Sequence, residues 1–386
     1  MVLILQTVTF SNSIALDNEL KYVITRSLVI LICSDVFQRV FKKGLHNQNN
    51  ITLTIVRPYS IIFILIRCEK GGLTLLIESV IDHISSLKGY SSIKKVEKGY
   101  SPDKKYIVTV GQNQYFIRLS DIQYHEKRTI EFSLLQALEK QGVQTHKAIE
   151  CTLLIEANLS AMVLSYIEGY PADEFISNLS DVEQFKIGLA AGKELRKIHQ
   201  LHVHAPQTIH WEEAQRKKFS FYLNEYKKGS YQLTKEHKIL NFIENNFHLL
   251  KGRPITLLHD DFHLGHIIVL NNTYNGVIDF NGYDFGDPYH DFYNLSLFSR
   301  RHSIPFCIGQ INGYFTESPD DTFWRIYALY AAMNIISTIV WTKKYDEQSF
   351  DDALQRIHLI LADHDYFKFD QPLWYKSIPI DNVTGL

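Results

Sequence analysis

Between residues 255 and 280 a chain that reads as helix on either side breaks into short apolar runs separated by a polar loop and a turn. The runs are Ile255-Thr-Leu-Leu258, Ile267–Leu270 and Val277–Phe280, with a turn over Asn271–Gly276. Runs of about 4–8 residues bounded by Asn and Gly predict strands, since a helix needs a longer periodic stretch. Any fold must therefore wrap helices around a strand-loop-strand insert. The loop reads His259-Asp-Asp-Phe-His-Leu-Gly-His266, and Gly286-Asp-Pro-Tyr-His-Asp291 follows the last run. Asp261 lies in the loop, Asp279 is predicted on the strand 18 residues later, and His266 stands five residues after Asp261.

Upstream of this insert the texture is β-rich. Ser92–Glu97, Lys105–Val110 and Gln114–Leu119 predict three strands on short turns. A helix is expected over 126–140, where Phe132, Leu135 and Leu138 recur at helical spacing. Leu153–Ile155 and Ala161–Ile167 add two strands, ending at the turn Glu168-Gly-Tyr-Pro171. Beyond Pro171 helices dominate. Ser180-Asp-Val-Glu183 carries a capping-box signature, and Phe185, Leu189, Leu195 and Ile198 line one face as far as His199. Further helices are expected over 213–228, 235–249, 321–341 and 351–363. The fold class is α+β: a small antiparallel β lobe with one helix, then a larger, mainly helical lobe. The expected boundaries are 1–86 for an N-terminal extension, 87–168 and 169–365 for the two lobes, and 366–386 for a tail.

Several function classes drop out on composition. A length of 386 residues suits two or three domains or lobes. A net charge of -2 offers no basic surplus for nucleic acid. Cys33, Cys68, Cys151 and Cys307 show no C-x-x-C spacing, which fits a reduced cytoplasmic protein without structural zinc. The apolar runs Leu28–Cys33 and Ile61–Ile66 fall well short of the about 20 residues a bilayer demands. Phe323–Trp341 is longer but contains Arg325 and Asn334, and reads as a core helix. No signal peptide and no membrane partner are expected. The sequence does not set the oligomeric state.

In their order and spacing the three motifs resemble those of the aminoglycoside phosphotransferase family, whose relatives include choline, homoserine and methylthioribose kinases. The family's loop typically reads His-Gly-Asp-x-His-x-Gly-Asn, where this chain has His259 to His266. Its Ile-Asp-Phe/Trp motif corresponds to Ile278-Asp279-Phe280, and its Gly-Asp-Pro-x-x-Asp to Gly286–Asp291. The resemblance covers residues 87 to 365 and implies a protein-kinase-like, two-lobed fold. It implies a small-molecule kinase that moves the γ-phosphoryl group of ATP (or GTP) to a hydroxyl acceptor, aminoglycoside-like or related. Two alternatives stay open: a catalytically weak or silent kinase-like protein that binds a nucleotide or partner, and a metabolite kinase of the choline or homoserine type.

The same resemblance assigns roles. Asp261 is the catalytic base and Asp279 the ligand of Mg2+, a cation that prefers hard oxygen donors. His266 stands where the family has a metal-binding Asn. Its imidazole suits softer metals such as zinc or manganese better than Mg2+. It is expected as the second metal ligand through a ring nitrogen, the alternatives being that it holds a metal-bound water or marks weakened catalysis. On the nucleotide side, Ser101 lies in the loop Lys98–Asp103 and Arg118 stands where a phosphate-binding Lys belongs. Glu131 is its expected ion-pair partner, with Glu126 as the fallback. Met162–Gly169 is the expected hinge, with backbone near Glu168 at the purine. His259 and His263 are expected to brace the loop, and Asp287 and Asp291 to order it and cap the next helix. Asp173, Glu174, Glu212, Glu213, Asp320 and Asp321 are candidates for a cationic acceptor.

The start of the chain reads differently. The only methionines are Met1, Met162 and Met333, whereas Lys70-Gly71-Gly72 can be encoded as a ribosome-binding sequence two codons before Leu75. Residues 1–74 are on this reading translated upstream sequence; the alternative is a genuine N-terminal extension.

Overall fold

In the computed structural model the described residues are 77–97, 99, 101–202 and 210–375, with four further strand segments. These segments, Gln6–Thr9 (β1), Ile51–Val56 (β2), Phe63–Cys68 (β3) and Leu73–Leu75 (β4), form one antiparallel sheet in that order. Lys70, Gly71 and Gly72, on which the upstream-sequence expectation rests, lie outside the described residues, as does the tail beyond Tyr375. The chain forms two units: residues 1–126 with 149–163, and residues 127–148 with 164–386.

Alternation builds the first unit. Helix α1 (Ile77–Ile81) precedes strands β5 (Tyr90–Val96), β6 (Lys104–Val110), β7 (Asn113–Asp121), β8 (Ala148–Leu154) and β9 (Leu159–Ser165). They pair in the order β5-β6-β7-β9-β8. Successive side chains of a strand point to opposite faces. Tyr106 and Val108 of β6 and Ile117 and Leu119 of β7 thus share one face, and close a core with Val80, Ile81, Ile84 and Leu87. The strand expected at Leu153–Ile155 sits earlier, because Ile155–Ala157 turns as a 3-10 helix that ends on left-handed Asn158 (φ 55°). Asn tolerates that conformation better than any apolar residue.

The second unit is mainly helical: α2 (His125–Lys140), α3 (Asp181–His199), α4 (Trp211–Lys228), α5 (Glu236–Asn246), α6 (Ile304–Tyr314), α7 (Asp321–Tyr345) and α8 (Phe350–Asp363). The capping box forms as expected at α3: Ser180 Oγ accepts from the Glu183 amide at 3.3 Å, and Glu183 Oε2 accepts from the Ser180 amide at 2.9 Å. Helix α7, 25 residues long, is the one described helix long and apolar enough to cross a membrane. Its Ile326, Leu329, Tyr330, Met333 and Ile336 are instead buried in the core with residues of α4, α5 and α8.

Helix α6 escapes the sequence reading because it is apolar on nearly every side and carries two glycines that weaken helix propensity. Those glycines have a packing reason. A Cβ at Gly309 would sit 2.3 Å from the Phe185 carbonyl oxygen, and one at Gly313 2.1 Å from that of Leu189. On the facing helix, a Cβ at Gly188 or Gly192 would meet the carbonyl oxygens of Phe306 (2.2 Å) or Gln310 (2.0 Å). Two Gly-x-x-x-Gly pairs thus let α3 and α6 approach backbone to backbone, closer than helices with ordinary side chains can.

Five short strands carry the loops of interest: β10 (Tyr170–Pro171), β11 (Thr256–Leu258), β12 (Ile267–Leu270), β13 (Thr273–Val277) and β14 (Asp284–Gly286). They form two sheets, β10-β12-β13 and β11-β14. The turn expected over Asn271–Gly276 tightens to Asn271-Asn272, both left-handed (φ 50° and 59°), with Leu270 opposite Thr273. Two left-handed central residues make the type I′ turn that matches strand twist. The strand expected at Val277–Phe280 stops at Val277. Asp279 therefore lies beyond the strand, at φ 68°, leading into a 3-10 turn over Phe280–Gly282.

Candidate active site

The loop after β11 hangs on a buried carboxylate. Asp291 accepts from the amides of His259 (2.9 Å) and Asp260 (2.7 Å) and from His199 Nε2 (2.9 Å). Burial opposes its ionisation, but the His199 hydrogen bond and charge and the His259 contacts outweigh this and hold the carboxyl below its ordinary value. His199 ends α3, and its Nδ1 lies 2.9 Å from the Tyr314 hydroxyl at the end of α6. The glycine contact between α3 and α6 thus sets where the Asp291 partner stands.

Asp287, also fully buried, ties the turn that follows it to the segment before β11 and to α7. It accepts a two-pronged contact from Arg253 (2.9 and 3.0 Å) and the Tyr330 hydroxyl (2.8 Å), which in turn accepts from Trp211 Nε1 (2.7 Å). Its Oδ1 also accepts from the Tyr289 amide at 3.1 Å, capping the 3-10 turn Pro288–Phe292. Between them the carboxylates do what the motif leads one to expect: Asp291 orders the loop and Asp287 caps the next element. His199, Arg253, Trp211, Tyr330 and His290 were not singled out in the sequence. Their partners, Asp260 in the case of His290, lie 30 to 119 residues away, and no spacing rule links them.

Backbone partners fix the tautomers of the three loop histidines, since an amide only donates and a carbonyl only accepts. His259 Nδ1 accepts from the Asp261 amide (3.3 Å), leaving Nε2–H to donate to the Ile278 carbonyl (3.0 Å). His263 Nδ1 accepts from the Gly265 amide (3.0 Å), so its Nε2–H faces Asp261 Oδ1 at 3.2 Å. His266 is the reverse case. Its Nδ1–H donates to the Asp261 carbonyl (2.9 Å), which turns Nε2 toward Asp279 Oδ2 at 3.8 Å. His259 is buried and edge-on to Phe280 at 4.6 Å; its burial lowers its pKa.

These contacts leave a reactive edge of Asp261, His266 and Asp279. Burial opposes the Asp261 charge, but the hydrogen bond from His263 and the electrostatics of the His263, His266 and His259 rings bring the carboxyl down to about 2. Asp261 is thus a carboxylate at any physiological pH, suited to accept a hydrogen bond. Two atoms that each stand about 2.1 Å from one cation are separated by about 3.0 to 4.2 Å. The 3.8 Å between His266 Nε2 and Asp279 Oδ2 falls within that span. A carboxylate and an unprotonated imidazole nitrogen are both competent donors, so the pair fits a divalent cation.

The expected nucleotide-side residues fall in both units. In the first, Ser101 Oγ accepts from the Asp103 amide at 3.2 Å, and buried Arg118 on β7 places Nε 3.8 Å from Asp103 Oδ2. In the second, Glu131 on α2 pairs with Arg128 at 2.7 Å, a residue the sequence reading passed over. Arg128 also donates to Asn281 Oδ1 (2.6 Å), two residues after Asp279, so α2 is tied to the Asp279 turn. The Glu168 carbonyl accepts from Asn275 Nδ2 at 2.7 Å, and Gly169 follows at φ 127° with no room for a Cβ against the Val269 carbonyl (2.4 Å).

Comparison with known proteins bears on the family and the fold. A profile of the phosphotransferase enzyme family matches residues 92–327. No significant match is found among curated proteins. Among solved structures, the gentamicin complex of APH(2")-IIa is similar over 74% of this chain and 97% of its own, with a TM-score of 0.56 and 17% identity. The GDP complex of aminoglycoside 2'-phosphotransferase-IIIa is similar over 75% and 98%, at TM-score 0.58 and 15% identity. APH(4)-Ia, solved with ADP and hygromycin B, is similar over 71% and 94%, at TM-score 0.53 and 12% identity. At these identities the likeness is one of fold, the α+β kinase-like architecture with a small antiparallel β lobe and a larger helical lobe.

Proposed function

Because the chain belongs to the phosphotransferase enzyme family, we propose that it moves the γ-phosphoryl group of ATP or GTP to a hydroxyl of a small molecule. The observation that carries the proposal is the reactive edge: the Asp261 and Asp279 carboxylates stand on either side of His266, within 3.4 and 3.8 Å of its ring nitrogens. Phosphoryl transfer is mostly positioning and charge neutralisation, and this edge offers an acceptor for a hydroxyl proton beside a cation site. Asp279 and His266 would hold the cation, which when bound neutralises charge on the nucleotide phosphates. Ser101, Arg118, Glu131 and Glu168 are proposed for the nucleotide.

Asp261 orients the acceptor hydroxyl through the carboxylate lone pairs that His263 and His266 leave open. The new bond joins the acceptor oxygen to the γ-phosphorus while the bond to the bridging β–γ oxygen breaks, and the nucleoside diphosphate leaves. A carboxylate with a pKa of about 2 is a weak base. It therefore takes the proton late, after bonding to phosphorus has made the hydroxyl acidic. His263 and His266 keep that carboxylate in place while it waits.

The acceptor class proposed is aminoglycoside-like, since similar structures hold gentamicin and hygromycin B. Of the acidic candidates, Asp320 is committed to capping α7 through the Phe323 amide (2.8 Å), and Glu213 lies 3.2 Å from Lys217. Asp173 is better placed: its Oδ2 lies 3.2 Å from where a Gly265 Cβ would stand, and its buried Oδ1 has no hydrogen-bond partner among the described residues. An acceptor ammonium beside the loop would satisfy it.

The test is a phosphoryl-acceptor screen with aminoglycosides, macrolides and amino alcohols, using ATP and GTP with Mg2+ and Mn2+. Turnover is expected, and Asp261→Ala should reduce it by about 100-fold or more. The second reading is a nucleotide-binding protein that does not turn over, favoured by His266 and Arg118, which stand where the family has Asn and Lys. Nucleotide binding with no product across the panel would establish it instead.

A further inference from the structure

The three loop histidines differ in one respect that decides metal chemistry. His259 and His263 both spend Nδ1 as an acceptor of a backbone amide, at 3.3 and 3.0 Å, and so carry their proton on Nε2. Only His266 spends Nδ1–H on a backbone carbonyl, that of Asp261, at 2.9 Å. Its Nε2 is therefore the ring nitrogen left without a backbone partner, and it faces the Asp279 carboxylate at 3.8 Å. A hydrogen bond from the far ring nitrogen to a carbonyl also fixes the ring and raises its basicity as a ligand.

We propose, resting on the phosphotransferase reading above, that His266 Nε2 and Asp279 form a mixed nitrogen–oxygen site that prefers Mn2+ or a similar nitrogen-accepting divalent cation over Mg2+. Mg2+ favours hard oxygen donors and dehydrates reluctantly. Imidazole nitrogen is a softer donor that later first-row divalent cations accept more readily. An Asn at this position would offer an oxygen; His266 offers a nitrogen, oriented by the Asp261 carbonyl on the other side of its ring. The choice of metal thus lies in one residue and in the backbone carbonyl that sets its tautomer.

A rival site lies close by. Ligand atoms of Asp261, His263 and His266 all fall within 4.8 Å of one another. Ligation through His263 Nε2 would move its proton to Nδ1, where it would confront the Gly265 amide, donor against donor. That arrangement gives up the hydrogen bond that shapes the 3-10 turn Leu264–His266. It would also take the Asp261 carboxylate away from an acceptor hydroxyl. The geometry favours the pair of His266 and Asp279.

The experiment is pulsed electron paramagnetic resonance on the full chain with Mn2+ and ADP, using protein with 15N-labelled histidine. Expected are a histidine nitrogen coupling in the unaltered protein and in His263→Asn, and its loss in His266→Asn. Competition between the two cations should show the Mn2+ preference over Mg2+ falling about tenfold in His266→Asn, the order seen when a ligand shell is impaired. No Mn2+ binding, bound Mn2+ without nitrogen coupling, coupling that survives in His266→Asn, or coupling lost in His263→Asn would each overturn the proposal. Turnover is followed in parallel on an acceptor panel. Coupling without turnover leaves the metal site standing and removes the transferase reading; turnover without coupling does the reverse.

Discussion

One loop presents two kinds of acidic residue. Asp287 and Asp291, behind it, have side chains with 0% exposure and every contact committed to backbone amides, His199, Arg253 or Tyr330. Asp261 and Asp279, in front, have side chains 44% and 30% exposed, and their measured neighbours include the ring of His266. The rear pair fixes where the backbone runs, and the front pair uses the position so fixed. A carboxylate that must meet a substrate cannot also be saturated with protein donors, so bracing and chemistry fall to different residues. Changes behind the loop should therefore cost stability and activity together, whereas changes in front should alter chemistry with the fold intact.

The largest break is expected at Asp291. Removing it by Asp291→Ala strands two buried amides and His199. The loss should be about 3–5 kcal/mol, the usual cost of deleting one partner of a buried pair. Denaturant unfolding measures it, and a loss under about 1 kcal/mol would show that the rear carboxylate is not the anchor. Next comes Gly192→Ala, which reaches the loop only through α3. Its Cβ would stand 2.0 Å from the Gln310 carbonyl oxygen, so the helices must part. Overpacking of this kind costs about 1–3 kcal/mol. Because His199 rides on α3, turnover should fall with stability; full activity at reduced stability would detach the helix contact from the loop.

A smaller effect lies in front. The Asp261 pKa is depressed to about 2, so its ionised form contributes stability above the ordinary carboxylate range, and that contribution is lost as pH falls through about 2. An acid limb of kcat/KM set by Asp261 therefore lies at very low pH. His263 supplies the foremost lowering contact. Replacing it by Asn should raise the Asp261 value toward the ordinary range and move the acid limb to higher pH with little change in Tm. A pH profile that does not move would mean His263 only braces the turn.

The front of the site was legible in the sequence and the rear was not. Asp261, His266 and Asp279 announce themselves because one loop and one hairpin carry them within a short span, and Asp287 and Asp291 share their motif. His199 and Tyr330 meet those two carboxylates across 92 and 43 residues. Nothing local marks them, since each also reads as an ordinary helix residue. Strands and long amphipathic helices were legible for the same local reason. Helix α6 was not, because burial on all sides erases the 3.6-residue pattern. The displacement of Asp279 off its strand follows from a two-residue Asn-Asn turn that shortens the hairpin, which a run of six turn-forming residues conceals.

Asp260 sits on the boundary between front and rear, and tests the division most finely. Its backbone is left-handed at φ 62°, where the family pattern has Gly, and its amide is held by Asp291 at 2.7 Å. Its side chain faces the other way, with Oδ1 2.9 Å from buried His290 Nδ1. A non-glycine residue in this region carries about 1–2 kcal/mol of strain, less for Asp, whose short polar side chain suits it. Asp260→Gly relieves that strain but frees the unfolded chain and deprives His290 of its neighbour. These terms nearly cancel, so stability should change by less than about 1 kcal/mol and turnover should persist. Asp260→Val keeps the strain, adds a branched side chain that the left-handed region disfavours, and removes the His290 contact. It should be the less stable of the two by unfolding midpoint. If Gly proves much worse than Val, the carboxylate facing His290 anchors the loop, and the rear brace extends one residue closer to Asp261 than the backbone contacts alone imply.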